Sequence, residues 1–131
     1  MVTLLKSGDE FLSSYEEYFV EIFQKEDVRF IREKNFKDLK HGLFRFDFFL
    51  EEDNLLVEVD GQYHFKPIRG RRELLKQQEH DRKKNSYCLA NGIKLYRVPY
   101  WEISTIKKVK DIFQDKFLVK SRWHNDNLKH Y

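Results

Sequence analysis

The chain has 131 residues, 40% of them hydrophobic, 16% aromatic and 36% charged, which is enough for one domain and one core. No apolar run approaches the roughly 18–20 residues of a membrane span, the start from Met1 to Asp9 is too short and too polar for a secretory signal, and the single cysteine, Cys88, makes no internal disulfide. The expectation is a single intracellular, cytoplasmic domain over residues 1–131, with its core at about 9–118, a loose polar tail at 119–131, no membrane partner and a core built largely from the 12 Phe rings. The net charge of +3, from 25 basic and 22 acidic side chains, is small but segregated. Lys66, Arg69, Arg71, Arg72, Lys76, Arg82, Lys83 and Lys84 crowd into residues 66–84, and carboxylates gather in 9–27 and 47–60. That separation implies a basic face suited to DNA and a local acidic site.

In chain order, Phe11, Tyr15, Phe19, Val20 and Phe23 recur at three- and four-residue steps and predict a helix over 9–26. Residues 28–35 suit a short strand. Residues 43–50 alternate, with Phe44, Phe46, Phe48 and Leu50 on one face, and predict a second strand. Residues 54–60 predict a third, with Leu55, Val57 and Val59 facing one way and Leu56, Glu58 and Asp60 the other. Gly61 ends it, and a basic loop carrying Pro67 and Gly70 follows. A second helix is predicted over about 72–90, stopped by Asn91-Gly92. A fourth strand over 93–98 ends at Pro99, so that strand, helix and strand form a parallel crossover. Ile103, Ile106, Val109, Ile112, Phe113 and Phe117 predict a last helix over about 102–118. The expected fold is α/β: a small mixed sheet flanked by helices in the order α-β-β-β-α-β-α.

Carboxylates stand where strands usually bury apolar side chains, and burying an unpaired charge is costly. With Glu52-Asp53 as a two-residue turn, Asp47 falls directly opposite Glu58, where like charges repel. A hard divalent cation with oxygen ligands, Mg²⁺ or Mn²⁺, would offset that repulsion. Asp60 shares Glu58's face, and His64 follows just past the strand end. In the second helix Asp81 lies on the stripe between Leu74 and Cys88, with Lys84 one turn on and His80 beside it. In the first helix Glu16 shares a face with Phe19 and Phe23 and points further inward than Glu17. Four segments thus aim ionisable groups at one end of the sheet. Cys88 reads as a small buried apolar residue. Tyr100, Trp101 and Trp123 offer stacking surfaces, Trp101 reading rather as packing.

The segments Phe46-Asp47-Phe48, Val57-Glu58-Val59-Asp60-Gly61-Gln62-Tyr63-His64, His80-Asp81-Arg82-Lys83-Lys84 and Asn91-Gly92-Ile93-Lys94-Leu95-Tyr96-Arg97-Val98-Pro99 together resemble the PD-(D/E)xK nuclease superfamily. The likeness is to the branch around very-short-patch repair endonucleases and phage or viral homing-type enzymes with a Glu-Asp-x-His-Asp pattern, and it covers about residues 14–112. It implies a restriction-endonuclease-like core and a metal-dependent DNA endonuclease, a magnesium-binding hydrolase of phosphodiester bonds in the homing, repair or nicking class, acting in the host cytoplasm if phage-encoded. Asp47 matches the metal-binding Asp, Glu58 the acid of the (D/E)xK segment, the carbonyl of Val59 a further ligand, His64 the branch's histidine, Asp81 the acid of the following helix and Glu16 the first-helix Glu. Asp60 occupies the lysine position. Either His64 carries proton transfer or Lys84 reaches in from the helix; failing both, the fold serves as a catalytically inactive DNA-binding or protein-inhibitor module. Lys66, Arg69, Arg71, Arg72, Arg82 and Lys83 are the expected DNA-backbone contacts, and Arg82 or Lys84 the expected stabiliser of transition-state charge. So small a chain leaves little room for sequence recognition, so a homodimer or a larger targeting partner is expected besides DNA.

Overall fold

Helix α1 (Gly8–Lys25) opens the fold and lays Phe19, Val20, Ile22 and Phe23 against one face of a sheet. The computed structural model describes residues 8–128, with side chains from Ser14 onward; the expected contribution of Phe11 and the last tail residues, 129–131, lie outside the described residues. The sheet has four strands, β1 (Ile31–Asn35), β2 (Arg45–Leu50), β3 (Leu55–Asp60) and β4 (Lys94–Pro99), in that spatial order. β1, β2 and β3 run antiparallel; helix α2 (Arg71–Asn91) then crosses over to place β4 parallel to β3. The α/β architecture, a small mixed sheet flanked by helices, is the one expected. Among the described residues no helix is long and apolar enough to cross a membrane.

The α1 face of the sheet is a ring-rich core. Phe19 stacks on Phe48 at 6.3 Å, and Phe23 and Phe30 meet Phe48 edge-on at 5.2 and 5.7 Å. Each such ring contributes roughly 1.5–3 kcal/mol by burial. The α2 face holds a smaller apolar cluster of Leu39, Phe46, Leu56, Cys88, Leu95 and Val119. Helix α2 is the unusual element. Its buried residues are Asp81, Asn85 and Cys88, so polar groups rather than an apolar stripe dock it on the sheet. Gly92, at φ 65°, ends it in the left-handed conformation, its N–H bonded to the Cys88 carbonyl.

The hairpin register is the expected one: Phe48 pairs with Val57, Phe49 with Leu56 and Leu50 with Leu55. Two details differ. The turn takes four residues, 51–54, closed by the Asn54 N–H on the Glu51 carbonyl, instead of Glu52-Asp53 alone. The regular ladder also stops before Asp47 and Glu58. There the alternation along β2 changes phase: Phe48 and Leu50 join the α1-side core, whereas Phe46 joins the α2-side cluster with Phe44 packed against it. The four residues Phe44, Phe46, Phe48 and Leu50 therefore do not share one face. β1 turns over with its neighbour: Arg32 lies over Phe48 and bonds Glu16 of α1, while Lys34 lies over Phe36 and Phe49. Between them Glu33 has φ 56°, a strained value for a residue with a Cβ.

The predicted last helix over 102–118 is not an α-helix. The chain makes short 3₁₀ turns at Tyr100–Thr105, Val109–Ile112 and Asp115–Phe117. Its apolar residues are still buried, at Ile103, Ile106, Val109, Ile112 and Phe117, but most recur every three residues, the 3₁₀ period. β-branched residues and a Thr lower helix propensity here, and side chains compete for the backbone. Thr105 donates to the Glu102 carbonyl, and the Asp111 carboxylate accepts the N–H groups of Lys107 and Lys108.

The tail is not loose up to Leu128. Its 3₁₀ turn His124–Asn127 is docked on α2: Arg82 donates to both carboxylate oxygens of Asp126 at 3.1 and 3.5 Å, and Asn85 donates to the Arg122 carbonyl.

Candidate active site at the splayed β2–β3 end

Asp47 and Glu58 meet where β2 and β3 come apart, and each carboxylate takes the place of a ladder bond. The Asp47 N–H donates to Glu58 Oε1 at 2.7 Å, and the Val59 N–H donates to Asp47 Oδ2 at 2.7 Å. These bonds anchor two acids that would otherwise repel each other. The second oxygen of Glu58 accepts from Lys84 Nζ at 2.9 Å, and Lys84 also donates to the Arg45 carbonyl. Lys84 sits one turn after Asp81 on α2, so it spans from helix to strand. Burial alone would lower its pKa; the Glu58 and Asp47 charges prevail and raise it, so the ammonium is firmly protonated. Burial pushes the Asp47 carboxyl well above the usual range, and the charges of Glu58 and Glu16 add to the rise.

On the α1 side of Asp47 two more acids approach. Oxygens of Glu16, Glu33 and Asp47 lie within 4.8 Å of one another. Glu16 is bound by Arg32 at 2.8 Å and is less exposed than Glu17, as the helix spacing implies. Burial raises the Glu16 pKa against the lowering effect of Arg32. The phase change at Glu33 and Asp47 is what lets acids from opposite faces of the sheet reach one gap. An all-oxygen donor set with surplus negative charge fits a hard cation such as Mg²⁺ or Mn²⁺.

On the α2 side, Arg97 of β4 is fully buried and organises a polar core. It stands beside Glu58 in the parallel register. Its Nη1 donates to both oxygens of Asp60 at 2.9 and 3.0 Å and lies 3.7 Å from both Glu58 and Asp81; its Nε donates to Asn85 Oδ1 at 2.7 Å. Asp60 is therefore engaged by an arginine. Next to it His64 Nδ1–H donates to Asp81 Oδ2 at 2.8 Å, and Gln77 donates to Asp81 Oδ1. Burial alone would lower the His64 pKa, but Asp81 and Asp60 outweigh it and raise it to about 9. The imidazole is thus a cation near pH 7, a proton donor rather than the neutral base its ordinary pKa suggests. Asp81 moves the other way: burial would raise it, and His64 and Arg97 hold it below the usual range.

The structure thus gathers Glu16, Asp47, Glu58, Asp60, His64, Asp81 and Lys84 around one end of the sheet. Of the expected ligands, Asp47 and Glu58 are linked through backbone N–H groups, the Val59 N–H bonding Asp47, but the close oxygen cluster is Glu16, Glu33 and Asp47. The basic loop residues Lys66, Arg69, Arg71 and Arg72 are exposed. Arg69 stacks on Tyr63 at 4.1 Å and Lys66 lies over Tyr100 at 5.5 Å. Arg71 and Arg72 open α2, where the helix dipole disfavours cations and favours anions. Arg82 points elsewhere: it pairs with Asp126 and Glu79 and lies 4.9 Å over Trp123, so it ties down the tail instead of facing the acids. Lys83 lines a groove with Lys40 and Arg122 on the outer side of α2. His80 packs at a tilt against Phe44, with ring centroids 4.7 Å apart. Trp101 packs on Phe65, and burial pushes the Cys88 thiol up to about 12, so it is no nucleophile.

Sequence reasoning missed Glu33, Asn85, Arg97 and Asn125. A lone arginine between Tyr96 and Val98, in a strand predicted to lie beside the acidic one, was the available signal for Arg97. No comparable signal marks Glu33 or Asn125. No protein-family model matches the chain, and no curated protein matches it.

Proposed function

We propose that the protein is a metal-dependent DNA endonuclease of the PD-(D/E)xK kind. The observation that carries this reading is the Asp47–Glu58 pair, held by opposing backbone N–H groups with Lys84 bonded to Glu58. Asp47 would hold Mg²⁺ or Mn²⁺ with Glu58 on one side and Glu16 and Glu33 on the other. Such a cation supplies an activated water and neutralises the phosphate. Lys84 supplies the fixed positive charge that the lysine of the family motif would carry, from α2 instead of β3. Protonated His64, oriented by Asp81, donates a proton to the leaving oxygen. Arg97 is a positioning residue: it balances Asp60 and Glu58 so that three buried acids can share one end of the sheet. The exposed Lys66, Arg69, Arg71 and Arg72 hold the DNA backbone.

A second reading, a non-catalytic DNA-binding module, draws on one observation: both oxygens of Glu58 are already engaged, by Asp47 N–H and Lys84. Incubation with supercoiled plasmid in Mg²⁺ or Mn²⁺ separates the two. The nuclease reading predicts nicked or linear DNA that disappears with EDTA and with Asp47→Asn. Binding without cleavage in either metal would favour the second reading. We further propose a homodimer or a larger targeting partner, which sedimentation in the presence of DNA tests.

A further inference from the structure

We propose that the outer face of α2, with the groove at its C-terminal half, is a second contact surface for the DNA backbone, continuous with the basic loop. The groove has about 540 Å³ and gathers cations from three segments: Lys40 from the connection between β1 and β2, Lys83 from α2 and Arg122 from the tail. Among the described residues no carboxylate pairs with any of the three. The acids beside them are engaged elsewhere: Glu79 pairs with Arg82 at 3.3 Å, and Asp38 accepts from the Tyr87 hydroxyl at 2.6 Å. Three like charges in one groove repel one another, and a bound polyanion relieves that repulsion.

The helix carries the cations beyond the groove. Asp81, Asn85 and Cys88 are its buried residues, so Lys83, about 200° round the helix from Asp81, faces outward. Arg72, Lys76, Glu79, Lys83 and Ser86 recur at steps of four and three residues and form one stripe. Lys76 meets Glu73 only at 4.0 Å with both side chains more than half exposed, so its charge stays available. From Arg72 to Lys83 is about three turns, or about 16 Å along the axis. Cations spread over that length match a polymer with one phosphate per about 3.4 Å of strand, not a single free anion. Two of the groove cations are held in advance. Arg122 lies 4.7 Å over the Trp123 ring, which sets its planar fork for a phosphate. Lys40 stands on a turn in which Lys40, His41 and Gly42 have φ of 50°, 55° and 81°. That conformation is strained at Lys40 and His41 and persists only because its surroundings impose it. Buried Leu39 anchors one side, and Asn35 Nδ2 donates to the Gly42 carbonyl at 3.0 Å on the other.

The choice of DNA as the polyanion rests on the reading that the protein acts on DNA. The test is fluorescence anisotropy in EDTA with a labelled duplex of about 20 base pairs, titrated over a range of salt. It compares wild type, Lys40→Gln/Lys83→Gln, Glu79→Gln and a control, Lys107→Gln/Lys110→Gln, each checked for folding by circular dichroism. The control lysines are exposed on turns docked beside α1 and carry the same loss of charge. Loss of two phosphate contacts, at about 0.9 each, should flatten the slope of log K against log salt by about 2. Binding at about 0.1 M salt should weaken by about tenfold or more. Glu79→Gln removes the carboxylate from the groove and should tighten binding severalfold, a gain that damage to the fold does not produce. The control should leave the slope within about 0.5 of wild type. An unchanged slope in the Lys40/Lys83 variant, an equal fall in the control, or no tightening in Glu79→Gln would overturn the proposal. Metal-dependent plasmid cleavage by the same preparations separates it from the nuclease reading. Cleavage without the slope change sinks the groove and leaves the nuclease; the slope change without cleavage does the reverse.

Discussion

Arg97→Met should be among the most damaging single substitutions in the protein. Arg97 has no exposed surface and lies within hydrogen-bonding distance of Asp60 and within 3.7 Å of Glu58 and Asp81, which are 1–3% exposed. Removing one partner of a buried ion cluster leaves the others uncompensated, at a cost of about 3–5 kcal/mol. A domain is typically stable by only about 5–15 kcal/mol, so the variant should unfold about 2 M earlier in urea, taking about 2 kcal/mol per molar for the slope. The double variant Arg97→Met/Asp60→Leu removes the orphaned charge together with its partner. It should recover about 1–3 kcal/mol relative to the sum of the single effects, the coupling expected of residues in one network. Arg97→Lys, which keeps the charge and loses the bond to Asn85, should fall between wild type and Arg97→Met. Urea titration at pH 7 by circular dichroism of wild type, Arg97→Met, Asp60→Leu, the double variant and Arg97→Lys gives the values. A cost below about 1 kcal/mol for Arg97→Met, or strict additivity in the double variant, would refute the claim that Arg97 holds the acids in place.

Four further predictions follow from the same geometry. The rise of His64 from 6.5 to about 9 contributes stability that is complete below pH 6.5 and lost as pH rises through 9; at 1.36 kcal/mol per pKa unit this is at most about 3 kcal/mol. The urea midpoint of wild type should therefore fall between pH 6 and pH 9.5 by more than that of His64→Gln, and parallel curves would contradict the assignment. Lys84→Ala should lower metal-dependent plasmid cleavage about 10²–10³-fold, the cost of losing one charge-stabilising donor, while an unchanged rate would remove Lys84 from the mechanism. Combined alanine substitution of Arg69, Arg71 and Arg72 should weaken duplex binding and flatten the slope of log K against log salt by about 2–3, at about 0.9 per phosphate contact; an unaltered slope would place the DNA elsewhere. Cys88 should resist thiol reagents until the protein unfolds, and rapid labelling of the native chain would contradict its burial.

The strands, α2 and the hairpin register were legible because alternation and turn residues constrain them strongly. The pairing of Phe48 with Val57 follows from pattern alone. The phase change at Asp47 was not legible, because nothing in Arg-Phe-Asp-Phe-Phe-Leu says that a carboxylate will replace a ladder acceptor. Glu33 was hidden for the same reason: it joins the acids only once β1 and β2 have both turned over. The 102–118 segment misled because residues spaced by three fit an α-helical stripe almost as well as a 3₁₀ one, and side-chain competition for the backbone decides between them. The tail misled in a different way. Its composition is polar, but its polar groups have buried carboxylates to bind, and Asn125 reaches Asp60 across 65 residues of sequence. Such long-range polar pairing leaves no local periodicity.

Calorimetric titration with Mn²⁺ decides whether the splayed end of β2 and β3, proposed above as a divalent-cation site, holds the ion. Wild type should bind the ion saturably, Asp47→Asn should abolish the heat, and Glu102→Gln, whose carboxylate pairs with Lys116 rather than with the acids of the site, should leave it unchanged. No saturable heat with wild type, or the same isotherm with Asp47→Asn, would contradict it.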